Sequence, residues 1–234
     1  MYPQAKLHTQ WPGTGVPGDP TFDQFFSSQM EDIADVTMIE RLNRAAGIAL
    51  LDRIGAAILL THSQSGPFGW QLADARPKLV KGILAIEPNG PPFFENTVTG
   101  PPGWFEDGPM GRLWGITRGP LTYSPAAADP RDLRMTQQAK TSGPDLARCW
   151  LQGSPARQLP NLKGIPILIV VSEASYHAPY DHCTSEYLTQ AGVKNDFVRL
   201  EQLDILGNGH MMMLEKNNLE IAAFLVEWAQ THIQ

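Results

Sequence analysis

Cysteine is scarce in this 234-residue chain: Cys149 and Cys183 are the whole supply. Two cysteines can close at most one bridge, and neither stands at metal-ligand or redox spacing. A disulfide-framed miniature fold, a zinc module and a thiol redox motif are therefore excluded, while the compartment stays open. Runs of lysine or arginine are also missing. With 18 basic against 24 acidic residues and a net charge of −6, no stretch suits a phosphate backbone, and nucleic acid is not an expected partner. No apolar run approaches the ~18 uninterrupted residues of a membrane span. The opening Met1-Tyr2-Pro3-Gln4 does not start a signal peptide, so the default expectation is cytoplasmic, or secreted if an N-terminal segment is missing.

Glycine and proline, by contrast, are plentiful at 21 and 20, but they punctuate periodic segments and do not replace them. The reading is one loop-rich globular domain over 1–234. Asp19 with Pro20 behind it opens a helix whose apolar residues Phe22, Phe25, Phe26, Met30 and Ile33 recur at helical spacing. A second helix places Met38, Leu42, Ala45, Ala46, Leu50 and Ile54 on one apolar face, with Glu40, Arg41, Arg44 and Asp52 off it, and Gly55 stops it. Apolar runs at Ala56 to Thr61, Val80 to Ile86, Ile165 to Val171 and about Phe197 to Leu203 are expected strands. With helices at Phe68 to Ala75, Cys183 to Ala191 and Leu219 to Ile233, they form a parallel α/β sheet.

Three polar residues stand in loops after these strands. The run Ala-Ala-Ile-Leu-Leu breaks at Thr61-His62-Ser63-Gln64-Ser65-Gly66, a strand turning sharply into a helix. A serine at such an apex is lifted clear of the sheet, and the N–H of the next residue, Gln64, points at what bonds to its oxygen. Glu87 ends the second strand, and His210 sits in the loop Gly207-Asn208-Gly209-His210 after the last. A serine hydroxyl becomes a useful nucleophile when an imidazole takes its proton and a carboxylate steadies that imidazole. Each residue alone has a plainer reading, as helix cap, turn residue or loop histidine. His8, His62 and His232 are poor rivals for the base, and His177 and His182 weaker ones.

Residues 91–130 hold eight prolines and the aromatics Phe93, Phe94, Trp104, Phe105, Trp114 and Tyr123. With an expected helical run from Arg131 to Gln152, the stretch 91–160 reads as a lid inserted over the site. Phe68, Phe93, Trp104 and Trp114 are its candidate pocket lining; a surface loop whose aromatics only cover the core is the alternative.

The segments His62-Ser63-Gln64-Ser65-Gly66-Pro67-Phe68, Ile86-Glu87-Pro88-Asn89-Gly90 and Gly207-Asn208-Gly209-His210-Met211-Met212 resemble the esterase 713 type of α/β-hydrolase, over essentially the whole chain. The resemblance implies an α/β-hydrolase-type sheet, a serine esterase with a Ser63, Glu87, His210 triad, a small-molecule ester as substrate, and no metal or organic cofactor. It also implies a glutamate one strand after the nucleophile as the acid. The commoner acid position of such hydrolases falls near Ser175, with Glu173 and Asp181 close by. Two features depart from the pattern. Thr61 and Ser65 fill the slots that usually hold glycine, and nothing upstream of Ala56 reads as a strand, so the N-terminal strands and the second oxyanion donor have no candidate. A non-catalytic remnant and a ligand-binding pseudo-hydrolase are the alternatives to an esterase, and a homodimer could cover the open edge.

Overall fold

The computed structural model describes residues 2–101 and 104–233; Met1, Gln234, and Pro102 and Gly103 of the proline-rich stretch, lie outside the described residues. Helix α1 (Pro20–Ser27) starts where the Asp19 carboxylate accepts the N–H groups of Thr21 and Phe22. It stops well short of Ile33. The Ser27 and Ser28 hydroxyls turn back onto the carbonyls of Gln24 and Phe25, which offers the backbone an alternative to another helical turn. Met30 is left 90 % exposed, so its helical spacing is coincidence.

Helix α2 (Val36–Ile54) is capped by Asp35 and closed by Gly55 at φ +87°, a conformation that glycine adopts without strain. Its expected inner face is turned outward: Leu42, Leu50 and Ile54 are exposed, while Ile39, Glu40 and Leu51 are buried. Glu40 explains the rotation. Its carboxylate accepts the Gln71 side-chain N–H (2.8 Å) and the main-chain N–H groups of Arg118 and Gly119 (3.0 and 3.2 Å). A buried carboxylate with three donors anchors the helix by the face that its apolar pattern assigned to solvent.

Strands β1 (Ala57–Ser63) and β2 (Val80–Pro88) flank helix α3 (Gly66–Ala75) in the chain. After β2 come two antiparallel ribbons, β3 (Phe94–Val98) with β4 (Phe105–Met110) and β5 (Met135–Gln137) with β6 (Trp150–Gln152). The helix expected over Arg131 to Gln152 is absent. A 3-10 turn at Pro130–Asp132 gives way to β5, and Gly143-Pro144 breaks the stretch between β5 and β6, since proline has no N–H for a helix and glycine favours the coil. The excursion is tied down firmly. The Arg112 guanidinium, 1 % exposed, donates to the Pro91 carbonyl (2.5 Å) and to Glu95 (2.9 Å).

The main sheet resumes with β7 (Ile167–Val171) and β8 (Asp196–Arg199), and its four parallel strands run in the order β1-β2-β7-β8. Helix α4 (Asp181–Gln190) links β7 to β8, and the Cys149–Cys183 disulfide ties it to the excursion. Helix α5 (Asn218–His232) covers one face of the sheet, where Ile221, Leu225 and Trp228 meet Leu84, Leu168 and Val170. This is the parallel α/β sheet with flanking helices expected from the strand and helix pattern.

Candidate active site

The β1–β2 ladder slips at its carboxyl end. His62 pairs with Ile86, but Ser63 pairs with Pro88, which leaves Glu87 as an extra residue on β2. Both residues at this bulge are held at positive φ, Ser63 at +54° and Glu87 at +43°. Such backbone is costly for a side-chain-bearing residue and persists where its surroundings over-determine it. Here the Asn89 N–H bonds the Ser63 carbonyl at 2.8 Å. The close approach that glycine permits has moved along the turn. A Cβ on Gly66 would lie 2.5 Å from the Pro88 Cβ, so Gly66 takes the steric role that the Thr61 and Ser65 slots usually carry.

Ser63, Glu87 and His210 meet. His210 Nε2 lies 2.8 Å from Ser63 Oγ, and His210 Nδ1 lies 2.5 Å from Glu87 Oε2. Ser65 is engaged elsewhere: its hydroxyl donates to the His62 carbonyl (2.8 Å) and accepts the His62 N–H (2.9 Å). Glu87 is fully buried and well supplied with donors. The Ser172 N–H reaches it at 2.9 Å, the Ser172 hydroxyl also bonds it, and the Ser175 hydroxyl reaches Oε2 at 2.6 Å. Burial is the largest influence on this carboxyl and raises its pKa. The His210 hydrogen bond, the charges of His177 and His210 and the Ser172 hydroxyl outweigh it, so Glu87 sits below the ordinary glutamate value.

The histidine loop is braced from behind. Glu215 accepts the Gly209 N–H (2.9 Å) and the Asn208 side chain (2.7 Å), and pairs with His8 at 2.6 Å. From the serine side, His62 Nε2 meets the His210 carbonyl at 2.9 Å. Burial lowers the His62 pKa, so this ring stays neutral and donates through Nε2. His177 stacks on His210 with centroids 4.6 Å apart and planes 5° apart, its Nδ1 2.9 Å from Asp181. Burial raises the Asp181 carboxyl to about 6. Glu173, the other rival acid, accepts the Gly207 N–H at 2.8 Å. His182 is buried, with its pKa lowered to about 4 by desolvation, and His232 lies beside Trp228 and Asp196.

The four aromatics expected to line a pocket are spread out. Phe68 borders a groove of about 410 Å³ with Leu50, Ile58, Leu60 and Ser65. Phe93 is buried in the core against Tyr187, and Trp114 packs on that same core. Trp104 is half-buried at the entry to β4. Sequence reasoning gave no role to Ser172, Ser175 and Tyr176, although all three follow a strand at the sheet edge where ligands bind. Among the described residues, two clusters bring three ligand-type atoms together. In Cys149, His182 and Cys183 both sulfurs are joined to each other, which removes the thiolates a metal would take. In His62, Glu87 and His210 every nitrogen of His210 and the Glu87 carboxylate are already hydrogen-bonded.

A model described as the alpha/beta hydrolase family matches residues 7–224. A protein named probable secreted lipase phiG, from Fungal sp. (strain ATCC 74256), is 50 % identical over 231 residues, covering 98 % of this chain and 61 % of that one. The chain thus spans about three fifths of this curated relative's length. Among solved structures, a novel bacterial esterase is 20 % identical with a TM-score of 0.46, over 81 % of this chain and 42 % of that one. A thermophilic esterase is 14 % identical with a TM-score of 0.43, over 87 % and 76 % of the two chains.

Proposed function

The chain belongs to the alpha/beta hydrolase family, and from that premise we propose that it hydrolyses carboxylic esters through a Ser63–His210–Glu87 triad. The observation that carries this reading is the unbroken line of hydrogen bonds from Ser63 Oγ through both nitrogens of His210 to a buried, ionised Glu87. Ser63 Oγ attacks the ester carbonyl as His210 Nε2 takes its proton. The carbonyl oxygen becomes an oxyanion facing the Gln64 N–H, and Glu87 steadies the imidazolium without becoming protonated. His210 then protonates the leaving alcohol as the carbon–oxygen bond breaks. Water, deprotonated by the same imidazole, releases the acid and restores Ser63.

The substrate is a small ester with an apolar acyl or alcohol part, and residues 91–160 act as its lid. The relative's name, a secreted lipase, and the Cys149–Cys183 bond support an oxidising compartment. A fluorophosphonate probe tests the site directly. It should attach to Ser63, as peptide mapping would show, and Ser63→Ala should abolish attachment and ester turnover while Ser65→Ala keeps both. Attachment at Ser65 would end the assignment.

A further inference from the structure

Outside the triad, one further hydroxyl reaches the reacting atoms. Tyr176 lies in the loop after β7, its ring tilted against His210 at 4.7 Å between centroids. Its hydroxyl oxygen is 3.4 Å from His210 Nε2, the nitrogen that also meets Ser63 Oγ at 2.8 Å. The ring is held from behind by His177 at 4.5 Å, and the residue is 42 % exposed, so the hydroxyl faces solvent and the site at once.

The stereochemistry of acyl transfer fixes what can occupy that position. The leaving oxygen is bonded to the carbon that Ser63 Oγ attacks, and it must take its proton from Nε2. It therefore sits next to the nitrogen that Tyr176 approaches. The oxyanion forms on the other side of the carbon, toward the Gln64 N–H. Resting on the triad reading, we propose that Tyr176 is a catalytic residue for the leaving group: its hydroxyl donates a hydrogen bond to the alcohol oxygen as the bond to carbon breaks. His210 still gives up the proton and Tyr176 keeps its own. Burial raises the tyrosine pKa, which suits a group that donates a hydrogen bond without ionising.

A leaving group that needs no help should not notice the loss of this bond. Acetate esters graded from p-nitrophenol to ethanol, assayed by kcat/KM, provide the test with the 234-residue chain and its Tyr176→Phe variant. The variant should lose about 10²-fold on the ethyl ester, the range of a positioned donor acting in the transition state, and keep nearly full rate on the p-nitrophenyl ester. The plot of log kcat/KM against leaving-group pKa should steepen. Fluorophosphonate attachment, which expels fluoride, should proceed at the same rate in both proteins and shows that the variant is folded and its serine reactive. Failure of the probe to attach to Ser63 in the unaltered chain defeats the triad reading itself. Attachment together with equal losses on all esters, or with no loss on any, overturns the role of Tyr176 and leaves the triad standing.

Discussion

β1 and β7 lie in one sheet and read alike as apolar runs, Ala-Ile-Leu-Leu against Ile-Leu-Ile-Val-Val, yet they live in different surroundings. Every residue of β7 is buried, whereas Ile58 and Leu60 of β1 are 47 % and 62 % exposed. β7 pairs with a strand on each side, β2 and β8. β1 pairs with β2 alone among the described residues, and Ile58 and Leu60 open onto a groove shared with Leu50 of α2. The site straddles this boundary: Ser63 comes from the open strand, and the carboxylate with its serine donors from the packed half. Ser63 is held by local turn geometry, while Glu87 is held by the core.

That division can be broken most severely at the elbow. Ser63→Ala should cost about 10⁶-fold in turnover, the order seen when the nucleophile of a serine hydrolase is removed, with stability nearly unchanged. Next comes the acid. Glu87→Gln should cost about 10⁴-fold, because an amide favours the wrong tautomer of its histidine, whereas Glu173→Gln, bonded to the Gly207 N–H and not to the His210 ring, should cost little. Equal losses at the two, measured as kcat on one ester, would move the acid across the boundary.

The packing contrast itself should appear in urea unfolding. Ile169→Ala in β7 should destabilise by about 2–5 kcal/mol through the cavity it leaves. Ile58→Ala in β1 should stay within about 0.5 kcal/mol, and Leu60→Lys should reduce self-association, since a charge blunts an apolar edge. The smallest expected effect is acid sensitivity. Glu87 has its pKa lowered by folding, so the folded state binds this proton less readily than the unfolded state. The stability it contributes is complete above the ordinary value of about 4.3 and drains away as pH falls through the lower folded value. Urea midpoints measured from about pH 7 down through the ordinary value of about 4.3 should fall less steeply at the acid end in Glu87→Gln than in the unaltered chain.

The sheet was legible because long apolar runs separated by helical periods admit few arrangements, and the three polar residues were legible because Ser63 and Glu87 end strands and His210 sits in the glycine-flanked loop after the last one. Tertiary partners kept the rest hidden. The outward turn of α2 comes from Glu40, whose three donors lie on α3 and on a loop near residue 118, and no local pattern announces them. The ribbons of the excursion are short and irregular, so neither period 2 nor period 3.6 dominates. The open edge at β1 was legible from the lack of any strand pattern upstream of Ala56 and not from its own residues, because β1 and β7 have the same chemistry and differ in what lies beside them. Ser175 is unfit as an acid, as its side chain shows; its use as a donor to a carboxylate on another strand cannot be seen without the fold.

The 2.6 Å bond between the Ser175 hydroxyl and Glu87 Oε2 means that two neighbouring strands deliver side chains to a single point in space. The carboxylate beside His210 is thus a location and not a position in the chain. A lineage could hand the acid from one strand to the next through an ancestor carrying both, and the imidazole would at no stage lack a partner. Descendants of such an exchange would keep the same mechanism while their alignments showed the acid in different columns.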